Sequence, residues 1–338
     1  MTKTILISGA SGFIGAHVLD AFLGAGYNVR AAVRSENSTK KVRKTHGKYG
    51  DALSFVIVPN IAVLGAFDEA VKDVDGVVHM ASPFILNAKD YDKELFEPAR
   101  NGTLSMLKAI KQFNPKVKRV VMTASFSCIL DYNKGLRPGY NYTEADWNPM
   151  TIEEAHTTDP ANAYSVSKTL AEHAAWDFVK NESPNFSITT ICPPMVYGPL
   201  RHSVDSMDKL NTSSADIFRL FNGSEKTVPD TTFYCWTDPR DVAQAHLKAY
   251  ESEEAANQRF IVCSGNYSYQ KFVDIIRDKF PELRDSTPEG KANQPLPPVY
   301  TLDGSKAEKV LGIKYHTIEE TVVDAVKSLK ELEKSLAV

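Results

Sequence analysis

Cysteine is scarce, with four in 338 residues, at Cys128, Cys192, Cys235 and Cys263. None forms a CxxC pair or stands at metal-ligand spacing from a histidine, so neither a disulfide scaffold nor a zinc module is expected. Scattered cysteines with apolar flanks read as small core residues. A dominant charge is lacking too: 39 basic against 42 acidic residues give a net charge of −3. No global basic field exists to hold nucleic acid or an anionic membrane, and no basic face is paired with aromatic stacking residues. No apolar run approaches the ~20 residues of a spanning helix. Met1-Thr-Lys-Thr leads straight into an apolar run and a glycine loop, leaving no room for a signal peptide, and Ser335-Leu-Ala-Val338 matches no address or lipidation motif. The expectation is a reduced, cytoplasmic protein without membrane or nucleic-acid partners. Gly and Pro, 18 each, exclude collagen-like and low-complexity classes.

What is present is alternation. Apolar strand candidates at 4–8, 27–33, 54–58, 76–81, 119–124 and 187–192 are separated by helical periodicities at 13–24, 68–73, 101–113 and 162–180. Strands alternating with helices predict parallel βαβ units, and uniformly apolar strands predict a sheet covered on both faces. Beyond Pro199 the alternation weakens. Helices are expected at 214–221, 240–250, 269–280, 305–311 and 318–332, a strand at 259–263 that adds to the main sheet, and a loop at 285–298. The predicted fold is α/β, a Rossmann-type doubly wound parallel sheet with a smaller C-terminal substrate-binding lobe. Its two parts are expected to interleave: residues 1–192 with 236–263 bind a dinucleotide, and 193–235 with 264–338 form the lobe.

Gly9-Ala-Ser-Gly12-Phe-Ile-Gly15 follows the first strand and opens the first helix. In that setting Gly9 permits a tight turn, Gly12 lets backbone approach a pyrophosphate and Gly15 lets helix pack on strand, while the helix N-terminus faces the anion. The alternative is a plain strand–turn–helix. The second strand ends in Val33-Arg34-Ser35 with no acid at its tip. A guanidinium there suits the 2′-phosphate of NADP, where a carboxylate would take the ribose hydroxyl of NAD. Lys40, Lys41, Arg43 and Lys44 add positive charge nearby or form a solvated basic loop.

Tyr164 and Lys168 stand four apart early in a strong helix and share a face. A neighbouring cation should lower the phenol's pKa, and a phenol so tuned exchanges a proton with a carbinol oxygen. Ser125 ends the strand Val120-Val-Met-Thr-Ala, where sheets of this type bind ligands, and its hydroxyl can donate to a carbonyl gaining negative charge. Alone, each is an ordinary packing, solvated or turn residue; together, in this order along the chain, they point to catalysis.

These motifs, with Val196-Tyr-Gly-Pro199 and Asp238-Pro-Arg-Asp241-Val-Ala-x-Ala-His246, resemble the extended short-chain dehydrogenases/reductases. His79-Met-Ala-Ser-Pro83-Phe84, Phe67-Asp68, Asp159-Pro-Ala-Asn162-Ala-Tyr164, Ala174-Ala-Trp176 and Leu210-Asn-Thr-Ser-Ser214 are similar to fungal NADPH-dependent methylglyoxal/carbonyl reductases and dihydroflavonol-reductase-like enzymes. The resemblance implies NADPH-dependent reduction of aldehydes and ketones, with a small carbonyl substrate and a monomer or homodimer. It makes Tyr164 the general acid, Lys168 the group that lowers its pKa and binds the nicotinamide ribose, and Ser125 the group that polarises the carbonyl. Gly9, Gly12, Phe13, Ile14 and Gly15 would cradle the pyrophosphate, and Arg34 would hold the 2′-phosphate. Ala81 and Ser82 would line the cofactor channel, Pro193, Met195 and Val196 would lie along the nicotinamide, and Asn101 would support a proton-relay water. By position, Phe84, Leu130, Met195 and Trp236 are pocket candidates or ordinary core. Two departures stand out: Asn60 replaces the usual aspartate at the adenine amino group, and Ser38 stands where a lysine is common, with Lys40 as its substitute. Two further readings stay open, a sugar-nucleotide epimerase/dehydratase holding NAD, which Arg34 opposes, and a non-catalytic NADP-binding sensor, which Tyr164 and Lys168 oppose.

Overall fold

The computed structural model describes residues 2–83, 85 and 87–337. In chain order the elements are β1 (Thr4–Ser8), α1 (Phe13–Gly24), β2 (Asn28–Val33), α2 (Glu36–His46), β3 (Leu53–Ile57), β4 (Gly76–His79), α3 (Glu97–Phe113), β5 (Arg119–Thr123), β6 (Asn141–Tyr142), α4 (Ile152–Ala155), α5 (Pro160–Glu182), β7 (Ser187–Cys192), β8 (Met195–Val196), α6 (Thr212–Arg219), β9 (Cys235–Thr237), α7 (Pro239–Glu251), β10 (Gln258–Ile261), β11 (Gly265–Asn266), α8 (Tyr269–Lys279), β12 (Thr301–Leu302), α9 (Ser305–Leu311) and α10 (Ile318–Leu336). Seven strands form one parallel sheet in the order β10-β7-β5-β4-β1-β2-β3, so the order reverses between β1 and β4. The expected parallel α/β sheet is therefore present, and residues 258–261 add its seventh strand.

Period-two alternation divides each strand between two cores. Ile5, Ile7, Val78, Val121 and Ile191 pack with Val18, Leu19 and Phe22 of α1 and Val242 and Ala245 of α7. Leu6, Val77, Val120, Met122 and Ile188 face the other way, onto Met106, Leu107 and Ile110 of α3 and Ala175 and Phe178 of α5. That double burial is why the strands read as unbroken apolar runs. α6, α8 and α10 share a separate core of Ile217, Phe272, Ile276, Val322, Val326 and Leu329 beside the small sheet β11-β9-β8. All four cysteines are free and buried, as small core residues.

Two local expectations are corrected. Residues 68–73 form turns instead of a helix; Val71 N reaches Phe67 O, but Asp73 adopts φ 56° and breaks any continuation. The basic run at 40–44 is the body of helix α2, not a loop. Ser35 caps it, its Oγ accepting from Ser38 N at 3.3 Å, and Thr39, Val42 and His46 give it a buried face. No helix among the described residues is long and apolar enough to cross a membrane.

Among the buried histidines, His17, His79 and His246 are 7%, 4% and 0% exposed. Burial lowers their pKa values to about 4, about 3 and about 4. An unfolded histidine titrates near ~6.5, so the folded values are depressed and protons favour the unfolded chain. Stability is then complete above pH ~6.5 and declines as pH falls towards 4, by up to about 3 kcal/mol per ring. Melting temperature measured from pH 7 to pH 4 should fall steadily; a flat profile would contradict this account.

Candidate active site

The site grows from the carboxyl ends of β1, β4, β5 and β7. After Ser8 the chain turns at Gly9, φ +73°, where a Cβ would stand 3.0 Å from Ala81 N. A Cβ on Gly15 would lie 2.2 Å from Gly9 O, so α1 can dock on the loop only without one. Gly12 is the N-cap of α1 and provides no side-chain cap. The amides of Phe13, Ile14 and Gly15 therefore open a helix N-terminus suited to an anion. Ser8 locks this loop to the neighbouring strand: its Oγ accepts from Met80 N and Ala81 N, each at 3.1 Å, and lies 2.8 Å from His79 Nδ1.

At the end of β2, Arg34 is exposed and makes no hydrogen bond or ion pair among the described residues. Ser38 is turned into the first turn of α2, its Oγ 3.2 Å from Ser35 Oγ. Lys40 is exposed, while Lys41 pairs with Asp205 at 2.6 Å, fastening the segment after β8 against α2. Asn60 is exposed, but its Oδ1 already accepts from Ala62 N at 3.0 Å.

α5 starts at Asp159, whose carboxylate accepts from Ala161 N and Asn162 N at 2.9 and 3.0 Å, with Pro160 at the first helical position. Its face then carries Tyr164 and Lys168. Lys168 is 6% exposed and its Nζ donates to Thr123 O at 3.0 Å. Thr123 is held in turn by His246, whose Nδ1–H donates to Val242 O at 2.7 Å, leaving Nε2 to accept from Thr123 Oγ1 at 2.7 Å. Two residues on, Ser125 is 9% exposed, and its Oγ accepts from Ser127 N at 3.1 Å. The hydroxyl proton of Ser125 remains available to donate. Tyr132 Oη donates to Ser127 Oγ at 3.2 Å and lies 2.9 Å from Ser165 Oγ, tying the turn of Ser125 to α5 beside Tyr164. Pro193 O accepts from Phe126 N at 3.0 Å, and Met195 and Val196 pair with Trp236 and Thr237, so 193–196 run beside the same turn.

The electrostatics correct one expectation. Burial, with Cys128 and Tyr132 nearby, pushes the Tyr164 phenol up instead of down, and burial lowers the Lys168 ammonium. Taking the hydroxyl out of water is the largest effect, and the Lys168 ammonium donates to Thr123 O. A phenol at its ordinary value is already protonated at neutral pH, and the upward shift extends that form to higher pH.

Behind Lys168, Glu172 is 2% exposed and takes Arg259 Nε and Nη2 at 2.8 and 3.1 Å and Thr190 Oγ1 at 2.7 Å. Arg259 also donates to Glu144 O and Asp146 O and stacks over Trp147. This network pins α5 to β7 and β10, and no motif announced it.

Three expected site residues are placed elsewhere, and a fourth lies outside the described residues. Asn101 is exposed in the outer groove between α3 and α5, with Arg100, Lys108 and Asp177. The α3 residue near Lys168 is instead Thr103, two positions on and about 200° around the helix. Leu130 is buried at 3% because the turn after Ser125 folds it into a core with Cys128, Tyr142 and Cys192. Trp236 is buried and borders a different cavity, of about 320 Å³, with Ser264, Lys271 and His316. Phe84 lies outside the described residues. Ala81 and Ser82 do join the site, lining a small cavity with His79, Thr103 and Lys168.

A family model described as the NAD dependent epimerase/dehydratase family matches residues 5–263. The chain is 38% identical over 340 residues to a ketoreductase of Aspergillus niger, covering 98% of each. It is 34% identical over 340 residues to an NADPH-dependent methylglyoxal reductase of Saccharomyces cerevisiae, covering 98% of this chain and 99% of the other. The crystal structure of yeast methylglyoxal/isovaleraldehyde reductase complexed with NADPH superposes with a TM-score of 0.91 at 34% identity, covering 98% of this chain and 99% of that one.

Removing one member of a buried pair leaves the other charge uncompensated. Glu172→Ala should therefore lose about 3–5 kcal/mol in urea unfolding, and a loss below about 1 kcal/mol would show that Arg259 is satisfied by Glu144 O and Asp146 O alone.

Proposed function

The chain belongs to the NAD dependent epimerase/dehydratase family, and from that premise we propose that it is an NADPH-dependent carbonyl reductase. Its substrates on this reading are aldehydes and ketones, including α-dicarbonyls such as methylglyoxal, keto esters and aryl ketones. The observation that carries the reading is what stands at the carboxyl ends of β1 and β5: an uncapped helix N-terminus after the one, and after the other a serine with a proton to donate and a carbonyl that takes the buried lysine, with a half-buried tyrosine one helical turn before that lysine. The relatives' names, a ketoreductase and a methylglyoxal reductase, support the same chemistry.

The residues fit the cofactor. The glycine loop leaves room for backbone to meet a pyrophosphate, and a Cβ on Gly12 would meet only Gly9 O, at 3.3 Å. Phe13 and Ile14 amides would hold the phosphates, and Arg34, exposed and without a protein partner among the described residues, would take the 2′-phosphate through its two-pronged guanidinium. Bound NADPH supplies the hydride.

The chain's own groups handle the oxygen. As the carbonyl gains negative charge, Ser125 Oγ–H donates to it and the Tyr164 phenol gives it a proton. The Lys168 cation then stabilises the phenolate left behind. Half-buried Met195, Tyr132 and Phe233 would form the apolar wall; Tyr132 and Phe233 meet edge to face at 6.3 Å and 89°. In the two-part division set out above, residues 193–235 and 264–338 would supply the substrate side, with Met195 and Phe233 from the lobe.

Purified protein mixed separately with NADPH and NADH, and followed at the reduced-nicotinamide absorbance, should consume NADPH first with methylglyoxal, an aryl ketone, a β-keto ester or an aliphatic aldehyde. Arg34→Ala should raise KM for NADPH by about 10–100-fold while sparing NADH, as loss of charged hydrogen bonds implies. Tyr164→Phe should cut kcat by about 10²–10⁴-fold. Near-normal turnover by Tyr164→Phe would sink the proton-donor role, and consumption of neither cofactor would sink the reductase reading.

A further inference from the structure

The small cavity beside Lys168 has no part in these roles so far. It measures about 20 Å³ and is enclosed by His79, Ser82, Thr103, Thr123, Lys168 and Glu172 among others. That volume holds one water molecule, provided two or more polar atoms face it. Two do so without any hydrogen-bond partner: His79 Nε2 and Ser82 Oγ, both buried atoms.

The proton on His79 follows from counting. Ser8 Oγ accepts from Met80 N and Ala81 N, which fills both of its lone pairs. Its single proton must go to His79 Nδ1, 2.8 Å away. His79 Nδ1 is thus an acceptor, and in the neutral ring the proton sits on Nε2, facing the cavity. Lys168 adds a second set of donors. Of its three N–H groups, Thr123 O takes one. Two donors converge on a small space, and Ser82 Oγ offers an acceptor beside them. A water oxygen satisfies both donors at once and returns a proton to Ser82.

We infer that His79 is a positioning residue, which through one buried water molecule fixes the second N–H of Lys168 and so aims the third towards the cofactor side. The inference rests on the reductase reading for its effect on turnover, but not for the water itself. Expected Asn101 is turned away from this place, and the strand residue His79 does the anchoring.

The groups that act on Lys168 are Cys128 after β5, Glu172 of α5, Cys192 ending β7 and His79 of β4, with Arg259 of β10 spent on Glu172. Burial already lowers the Lys168 pKa. A water accepting its proton favours the charged form, so losing that water lowers it further.

The test has two arms on the full-length protein. In the first, a high-resolution crystal structure should show one water within hydrogen-bond distance of His79 Nε2 and Lys168 Nζ. A dry cavity overturns the inference whatever the activity. In the second, the pH profile of kcat is compared for wild type, His79→Phe and His79→Gln. The basic limb should move about one unit towards acid in H79F, the scale of a single hydrogen bond to a charged group, and return in H79Q with carbonyl KM unchanged. Equal losses in both variants with the limb unmoved reduce His79 to a packing residue and overturn the role. Should wild type reduce no carbonyl at all, the reductase reading fails, and the crystallographic arm still decides the water.

Discussion

The hydrogen bond from the Lys168 ammonium to the Thr123 carbonyl is the tie on which the site depends. A buried ammonium is costly, and it persists here because its surroundings are built to accept it. The accepting carbonyl stands at the end of β5, where Ala124 and Ser125 leave the sheet. Thr123 cannot rotate away, since its hydroxyl is engaged by His246, itself held by Val242 O. One helical turn beyond Lys168, Glu172 and Arg259 lock the same face of α5 to β7 and β10. With both ends of that face fixed, Tyr164 one turn earlier has little freedom of rotation about the helix axis. The placement of the phenol follows from the placement of the lysine.

The topology explains why the phosphate cradle meets this helix. The order reverses between β1 and β4, so their two connections leave in opposite directions and open a crevice at the carboxyl ends. Ser8 spans it by collecting the amides of Met80 and Ala81. Gly9 turns against Ala81 at φ +73°, a conformation side chains rarely adopt, and Gly15 sits on Gly9 O at a distance no Cβ would survive. The glycine loop is therefore a packing solution first. Its capacity for anions is what remains when a helix start is left uncapped and close to the sheet edge.

Much of this was legible in the sequence, and the exceptions have physical causes. Doubly buried strands and strong helical periods marked β1, α1, α5, β7, β10 and α9 to within a residue or two. α2 was hidden because lysines and arginines between Thr39, Val42 and His46 swamp a narrow buried face, although the capping serine at 35 was in view. The turns at 68–73 bury Phe67, Ala70, Val71 and Val74 with helix-like spacing, so the pattern alone could not separate turn from helix. The choice of Gly9, Gly12, Gly15, Ser125, Tyr164 and Lys168 as candidates follows from motif and order. Asn101 is placed elsewhere, because a motif gives a residue's position along α3 but not the rotation of α3 about its axis. Leu130 and Trp236 went into cores that long-range packing decides. The Glu172–Arg259 pair joins residues far apart in sequence, and His79 was visible only as a polar ring inside an apolar strand.

The direction of the Tyr164 shift bears on how such a site works. A depressed phenol would serve a base, removing a proton from an alcohol. On the proposed reading the phenol serves as the acid that carbonyl reduction needs, and burial extends its neutral form to higher pH. The same burial keeps His79 and His246 uncharged, so they act through fixed tautomers and not through charge. The cation next to Tyr164 is then Lys168, with the Arg259 charge held by Glu172. Its effect is small while the phenol is whole and large once the phenol has lost its proton, because an ion pair forms only then. A cation set beside a neutral acid thus stabilises the state after transfer more than the state before it, which is the condition for lowering a barrier. On the proposed reading, the buried lysine, unfavourable as an isolated charge, becomes favourable at the moment the proton leaves.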